Sequence, residues 1–229
     1  MTDANLSDGT SPPISHPGAD PVFDGVYGPF TITAEDRREV QGYRLSLLVM
    51  AIAQAGLLAQ WHWLGDRWLW PWLLPMAAGL GLALRWIHIY LRPLHRSLQL
   101  FWLLGCGGFL LLGALAGPGG MAAAVAADGR WIWAIGPFFA ALAGIGFKEF
   151  FCFRRPEAIG VTLLLPLALL GQLSGLLPPA TSGSLLALEA ALLLVLCLRK
   201  FPMPAAADVG DKSVFAYLED RRRSAGTGA

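Results

Sequence analysis

Two arginines and two histidines are spaced so that one helical face would carry all four. They are separated by three, four and three residues: Arg85, His88, Arg92 and His95. Residues three or four apart lie on the same face of an α-helix, so this spacing predicts one polar face if the helix continues through Pro93. A histidine on this face can ligate a haem or a chlorophyll, act as an acid or base, or simply donate a hydrogen bond to a neighbouring carbonyl.

An adjacent cation and carboxylate, Lys148 and Glu149, lie near the end of a later apolar run. On a helix, Glu149 is about 27 Å from Trp131, and His88 is about 24 Å from Trp72. Both are therefore expected near the same edge of a membrane, and we predict a polar cluster there of Arg85, His88, Arg92, His95, Lys148 and Glu149. In the simpler alternative, Lys148 and Glu149 pair with each other and the arginines contact lipid phosphates.

A third candidate is Glu189, an acid within an otherwise apolar run. An ionised side chain at mid-membrane costs about 2.5 to 3.5 kcal/mol on insertion scales, so an acid at that depth is a functional hypothesis. Because the run is expected to begin near Leu185, Glu189 would lie close to one membrane surface. Two interpretations follow: an interfacial carboxylate that faces water, or an intramembrane carboxylate on an ion pathway.

The sequence does not indicate other chemistry. It contains no HExxH motif, nucleophile elbow or paired-carboxylate motif, and its three cysteines match no metal-binding spacing. The segment that starts at Gly210 lacks the Gly-Lys pair of a phosphate-binding loop. We therefore predict no catalytic residue, no metal site and no nucleic-acid partner, which favours a non-enzymatic protein.

Apolar helices must position these residues. The 229 residues are 55% hydrophobic and 14% charged, which is too apolar for an ordinary soluble domain. Lipid offers no hydrogen-bond partners, so runs of about 20 apolar residues must satisfy their own backbones as helices. We predict an all-α membrane protein with six transmembrane helices in an up-and-down bundle, at residues 45–63, 68–91, 97–117, 131–153, 159–177 and 185–198.

The basic residues are unevenly distributed between the ends of these runs. Of the 17 Lys and Arg residues, only Arg67 and Arg130 fall on one side of the predicted membrane. Cytoplasmic loops of membrane proteins are enriched in Lys and Arg, so we predict that both termini are cytoplasmic.

Glycines on the third and fourth runs predict close helix packing, because small residues let backbones approach in lipid. They are Gly105, Gly108, Gly113, Gly117, Gly144 and Gly146. The GxxxG spacing of Gly113 and Gly117 fits internal packing as readily as dimerisation.

Polar segments flank the transmembrane domain, which we assign to residues 45–200. Residues 1–25 are rich in Ser, Pro, Gly and Asp and are predicted to be a disordered tail. Residues 26–44 form a cytoplasmic entry segment, where Thr33 and Asp36 are placed to cap a helix that begins at Ala34. Residues 201–229 form a cytoplasmic tail, with a short amphipathic helix expected over residues 211–222.

Four segments of the chain carry a resemblance to a known family: residues 27–40, 87–102, 144–157 and 210–218. The most specific strings are His-Ile-Tyr-Leu-Arg-Pro-Leu-His at 88–95 and Gly-Phe-Lys-Glu-Phe-Phe-Cys-Phe-Arg-Arg-Pro-Glu at 146–157. Over roughly residues 26–222, the chain resembles an uncharacterised family of integral membrane proteins of cyanobacteria and plastids, domain of unknown function 2301. The resemblance implies a thylakoid or plasma membrane in a photosynthetic organism, and no established activity or cofactor.

Three functions are compatible with these patterns. The first is a non-enzymatic factor that aids assembly or maintenance of photosynthetic membrane complexes and contacts the lipid bilayer. The second is a haem- or chlorophyll-binding protein ligated by His88 or His95. The third is a transporter of a small solute or ion that uses Glu189.

Overall fold

The computed structural model describes residues 20–65 and 67–226. Residues 1–19 of the predicted disordered tail therefore lie outside the described residues. The chain divides into two compact units, a smaller one formed by Met1–Val40 with Pro204–Ala229, and a larger one formed by Gln41–Met203. In chain order, the elements are β1 (Val22–Gly25), β2 (Gly28–Thr31), α1 (Ala34–Leu64), α2 (Trp70–Trp86), α3 (Arg92–Ala116), α4 (Met121–Ala127), α5 (Trp131–Phe153), α6 (Pro156–Leu173), α7 (Pro179–Lys200), α8 (Ala205–Val209) and α9 (Ser213–Gly226).

The smaller unit joins segments from both ends of the sequence. Strands β1 and β2 form an antiparallel hairpin, with Phe23 opposite Phe30. The apolar side chains of Ile32, Val40 and Val209 are buried together beside it. Helix α9 lies where the sequence predicted a short amphipathic helix, and the hairpin begins within residues that the sequence assigned to the tail.

The start of α1 is a capping box, as predicted. The Thr33 hydroxyl accepts a hydrogen bond from the backbone N–H of Asp36 at 3.2 Å, and the Asp36 carboxylate accepts one from the backbone N–H of Thr33 at 2.7 Å. This reciprocal pairing satisfies backbone donors that the first helical turn leaves without partners. The helix begins at Ala34, as the sequence predicted.

The Asp211 carboxylate links the two chain segments of the smaller unit through hydrogen bonds. It accepts hydrogen bonds from the backbone N–H of Val26 at 2.7 Å and from the backbone N–H and hydroxyl of Ser213 at 2.9 and 2.6 Å. Burial alone would raise the pKa of Asp211, but these bonds outweigh it and hold that pKa below its ordinary value. A lowered pKa stabilises the fold above the ordinary aspartate pKa of about 4, and this stability is lost as the pH falls through the lowered pKa.

We therefore expect the Val26 amide to keep its protection from hydrogen exchange at about pH 5 and to lose it progressively from about pH 4 toward pH 2, after correction for the intrinsic effect of pH. Asp211→Asn should lower the protection already at neutral pH, and Asp24→Asn in the same hairpin serves as the control. Equal protection of Val26 at both ends of this pH range in the unaltered chain would contradict the prediction.

The larger unit contains the apolar helices. Among the described residues, five helices are long and apolar enough to cross a membrane: α1, α3, α5, α6 and α7. Helix α2 has 17 residues, because it ends at Trp86 rather than continuing to Leu91 as the sequence suggested. The structure is thus a mostly helical, multi-pass membrane protein with five candidate spans.

The break between α2 and α3 separates Arg85 and His88 from Arg92 and His95. Ile87 has an extended backbone, and α3 begins at Arg92 with Pro93 in its first turn. Proline has no N–H to donate and its ring clashes with the carbonyl four residues earlier, so it starts a helix readily and interrupts one already under way. The continuous helical face through Pro93, on which the predicted grouping depended, does not form.

Two glycines bring α3 into backbone contact with α5. A Cβ atom at Gly105 would collide with the backbone of Phe138, and one at Gly108 with the carbonyl of Ala134. Gly117 instead ends α3 with a φ of 73°, a conformation that favours glycine. The close packing predicted from glycines is therefore present, at Gly105 and Gly108 rather than at the GxxxG spacing.

Candidate functional site

Glu189 lies halfway along a candidate membrane span. Helix α7 begins at Pro179, so Glu189 is the eleventh of its 22 residues, about 15 Å from either end of the helix. The side chain is fully buried, with 0% exposure. The sequence placed Glu189 near a surface because the first six residues of α7 are not strongly apolar. The burial of Glu189 contradicts the prediction of a water-facing carboxylate. The intramembrane interpretation stays a prediction, with which the position of Glu189 on α7 agrees.

Gln54 on α1 is the hydrogen-bond partner of Glu189. Its side-chain nitrogen donates to Glu189 Oε2, and Gln54 itself is only 3% exposed. Among the residues that the structure describes, the second oxygen of Glu189 and the amide oxygen of Gln54 have no hydrogen-bond partner. Buried polar atoms are nearly always partnered by protein, water or a ligand, so this pair retains capacity to bind another group. No motif in the sequence predicts a site at Gln54.

Ser182 extends this polar stripe along α7. It lies seven residues before Glu189, and therefore on the same helical face. Its side chain is 1% exposed, and its hydroxyl oxygen has no hydrogen-bond partner within the described part of the chain.

A cavity of about 130 Å³ lies beside Gln54, and helices α1 to α7 all contribute residues to its wall. Its wall is apolar apart from two amides, Gln54 and Gln172. The Gln172 side-chain nitrogen donates to the backbone carbonyl of Val125 at 3.1 Å. Other residues in the wall include Trp61, Met76, Phe109, Ala122, Phe139 and Leu186.

The second polar group of the larger unit surrounds Glu149. One carboxylate oxygen accepts hydrogen bonds from the Tyr43 hydroxyl at 2.7 Å and from Lys148 Nζ at 3.2 Å. The other oxygen accepts a hydrogen bond from Lys200 Nζ at 2.6 Å. All four side chains are buried, so the cluster joins α1, α5 and α7 away from water.

Two aromatic rings flank the lysines of this Glu149 cluster. Lys148 Nζ lies 5.4 Å from the centre of the Tyr43 ring and 5.2 Å from that of Phe153. Lys200 Nζ lies 5.3 and 4.6 Å from the same two ring centres. Because an ammonium group is attracted to the face of an aromatic ring, the rings partly replace the hydration that the lysines lose on burial.

The two polar groups lie at equal intervals along α1 and α7. Gln54 follows Tyr43 by eleven residues on α1, and Lys200 follows Glu189 by eleven residues on α7. Eleven residues make about three helical turns, or 16.5 Å, so antiparallel helices bring both pairs together at once. Between them, α1 and α7 also contribute buried apolar residues to the core, among them Leu47, Met50, Ala51, Leu193, Leu196 and Cys197.

The cluster predicted from the sequence is only partly present. Lys148 and Glu149 pair with each other, which agrees with the alternative of a local ion pair. The cluster around Glu149 also contains Tyr43 and Lys200. From the sequence alone, Lys200 is predicted only to be a basic residue at the inner end of a helix. The sequence feature that could have indicated a role for Lys200 is its interval of eleven residues from Glu189.

The histidine segment is arranged separately from the Glu149 cluster. His95 Nε2 lies 2.6 Å from the backbone carbonyl of Leu84 and 3.3 Å from the side-chain nitrogen of Gln99. Within the described residues, no hydrogen bond or ion pair joins His95 to Glu149. His88 is half-buried, and Arg85 and Arg92 are exposed. The contact between His95 and a carbonyl corresponds to the simplest role that the sequence suggested.

Comparison with known proteins gives one match. No curated protein and no solved structure matches the chain. Residues 82–217 match the family DUF2301, described as an uncharacterized integral membrane protein. The matched residues include Glu149, Glu189 and Lys200, whereas Tyr43 and Gln54 precede them. Because the match covers more than half of the 229 residues, the chain belongs to the DUF2301 family of integral membrane proteins.

Proposed function

We propose that this integral membrane protein transports a small solute or ion, with Glu189 as the group that binds and releases a proton. One observation carries the proposal: a fully buried carboxyl group lies at the midpoint of a candidate membrane span and is bonded to an amide. Among the described residues, no basic side chain contacts Glu189. Burying a carboxylate without a cation costs several kcal/mol, so acids in such positions are mostly functional.

Gln54 suits a partner that changes its protonation state. A primary amide carries both donors and an acceptor. Its nitrogen donates to Glu189 Oε2 in the structure, a contact that suits the carboxylate form. After rotation of the amide, its oxygen can accept a hydrogen bond from the protonated carboxyl group. Gln54 therefore holds both forms of Glu189, which supports reversible proton binding at this pair.

The topology that we propose has six membrane spans and both termini in the cytoplasm. Contacts within the smaller unit support an even number of spans, since its two chain segments pack together. Lys212 Nζ lies 2.8 Å from the Asp36 carboxylate, and Asp211 bonds to Val26. Two chain ends that pack together lie on the same side of a membrane, so α2 becomes the sixth span beside the five longer helices. The excess of Lys and Arg on that side supports a cytoplasmic location.

Proton flux into liposomes tests the proposed function. Purified protein would be reconstituted with a trapped pH-sensitive dye, and a pH gradient imposed. We expect Glu189→Gln to reduce the protein-dependent proton flux by more than about tenfold, because an amide cannot carry the proton. Glu157→Gln, the same change in a buried acid that pairs with Arg199, is the matched control and should retain the flux. Equal flux through the unaltered protein and Glu189→Gln would refute the proposal.

Two other functions remain proposals. A role in the assembly or maintenance of photosynthetic membrane complexes, in a thylakoid or plasma membrane, is supported by the family resemblance alone. Ligation of a haem or a chlorophyll by His88 or His95 is the second. For His95, this role requires its Nδ1 atom, or exchange of the contact between Nε2 and the Leu84 carbonyl.

A further inference from the structure

We infer that the cavity beside Gln54 binds a small, mainly apolar molecule that carries one hydroxyl or amine group, and that Gln54 recognises this group. The inference deepens the proposed function, since it names the class of solute that the transporter would carry. It depends on the size of the cavity, on its lining and on the hydrogen-bonding state of Gln54.

The cavity has room for only a few heavy atoms of a ligand. Its volume of about 130 Å³ is close to that of an engineered apolar cavity of about 150 Å³ that holds benzene. The fit is therefore to a single ring or a short branched chain. A sugar or a nucleotide is too large.

The lining of the cavity selects against charge. Apart from the two glutamines, each of the 18 lining residues has an apolar side chain or, as in Trp61, a mainly apolar one. A charged ligand would lose its hydration there and gain no counterion, which costs far more than apolar contacts return. An uncharged molecule with a large apolar portion is the class that such a wall favours.

The two amides in the wall indicate the polar group of the ligand. The Gln54 nitrogen is engaged by Glu189, and its buried oxygen has no partner among the described residues. The Gln172 nitrogen is engaged by the Val125 carbonyl. Gln54 therefore offers an acceptor in the cavity wall, and one N–H of each amide is already used. A ligand that donates a hydrogen bond, such as an alcohol, a phenol or a neutral amine, complements this arrangement.

Binding of 4-fluorophenol and of fluorobenzene, followed by ¹⁹F NMR on the purified protein, tests the inference. The two probes differ in the donor group and have nearly the same ring. We expect saturable binding of 4-fluorophenol that is about tenfold tighter than that of fluorobenzene, the usual size of one hydrogen bond to a buried acceptor. Gln54→Leu should remove this difference and leave the affinity for fluorobenzene nearly unchanged. Ala122→Phe, which fills the cavity, should abolish binding of both probes and corrects for their partition into detergent.

Equal affinities of the two probes for the unaltered protein would overturn the inference without any variant being needed. Binding that survives in Ala122→Phe would also overturn it. The proposed function is tested separately. If 4-fluorophenol binds as expected and Glu189→Gln leaves the proton flux unchanged, the ligand site is supported and the proposal of transport is refuted. If the flux depends on Glu189 and the probes bind equally, transport stands and the ligand class is wrong.

Discussion

Glu149→Gln is expected to destabilise the protein by about 3–5 kcal/mol, the usual cost of removing one partner from a buried ion pair. The substitution keeps the size of the side chain and removes its charge. Lys148 and Lys200 would then remain beside each other, 8% and 1% exposed, without the carboxylate that separates them. Nearby aromatic rings attract ammonium groups, but by only about 1–2 kcal/mol each. The expected loss is therefore a large part of the stability of a typical domain.

Unfolding in detergent, followed by circular dichroism, measures this effect. Asp128→Asn is the matched control, because Asp128 pairs with Arg130 at the surface, where an ion pair contributes little to stability. Glu149→Gln combined with Lys200→Met should recover part of the loss, since fewer buried cations remain unpaired. Equal unfolding midpoints for Glu149→Gln and Asp128→Asn would show that the Glu149 cluster does not hold α1, α5 and α7 together.

Gly108→Ala is expected to cause the second largest loss of stability, whereas Gly107→Ala is expected to raise the stability of the protein. A methyl group at Gly108 would overlap the carbonyl of Ala134 on α5, which is backbone and cannot turn away. The helices would have to separate, and overpacking of this kind costs about 1–3 kcal/mol. At Gly107 a methyl group would meet nothing within 4 Å, and alanine favours a helix by about 1 kcal/mol over glycine.

Both substitutions add one methyl group to α3. The difference between their unfolding midpoints therefore isolates the contact between α3 and α5. Unfolding midpoints in one detergent compare them directly. Gly105→Ala, which would meet the backbone of Phe138, should resemble Gly108→Ala. If Gly107→Ala and Gly108→Ala lower the midpoint equally, backbone contact is not what these glycines provide.

The Glu149 cluster and the Gln54–Glu189 pair use polar side chains differently. The cluster satisfies a carboxylate with two cations and a hydroxyl, and it serves to hold three helices together. The Gln54–Glu189 pair leaves oxygens without partners beside a cavity. Incomplete satisfaction of buried polar atoms is expensive, so it is typical of sites that bind something. This contrast is why we place function at Glu189 and structure at Glu149.

The sequence by itself determined the features that depend on local chemistry. Apolar runs must be helical in lipid, which fixed the class of fold and most helix positions. Thr33 and Asp36 are three residues apart, so their capping box was readable from the chain alone. The family resemblance depended on strings around His88 and Glu149, which are also local.

Only the tertiary structure decided how the helices turn their polar residues toward each other. Gln54 meets Glu189 across 135 residues of sequence, and Tyr43 meets Glu149 across 106. Such pairings depend on the rotation and register of whole helices. In a membrane, hydropathy predicts little about either, because lipid and helix interfaces are similarly apolar. The depth of Glu189 was misjudged for a related reason. The first turns of α7 carry small and polar residues, and they become helical because their backbone must be satisfied, whatever their hydropathy.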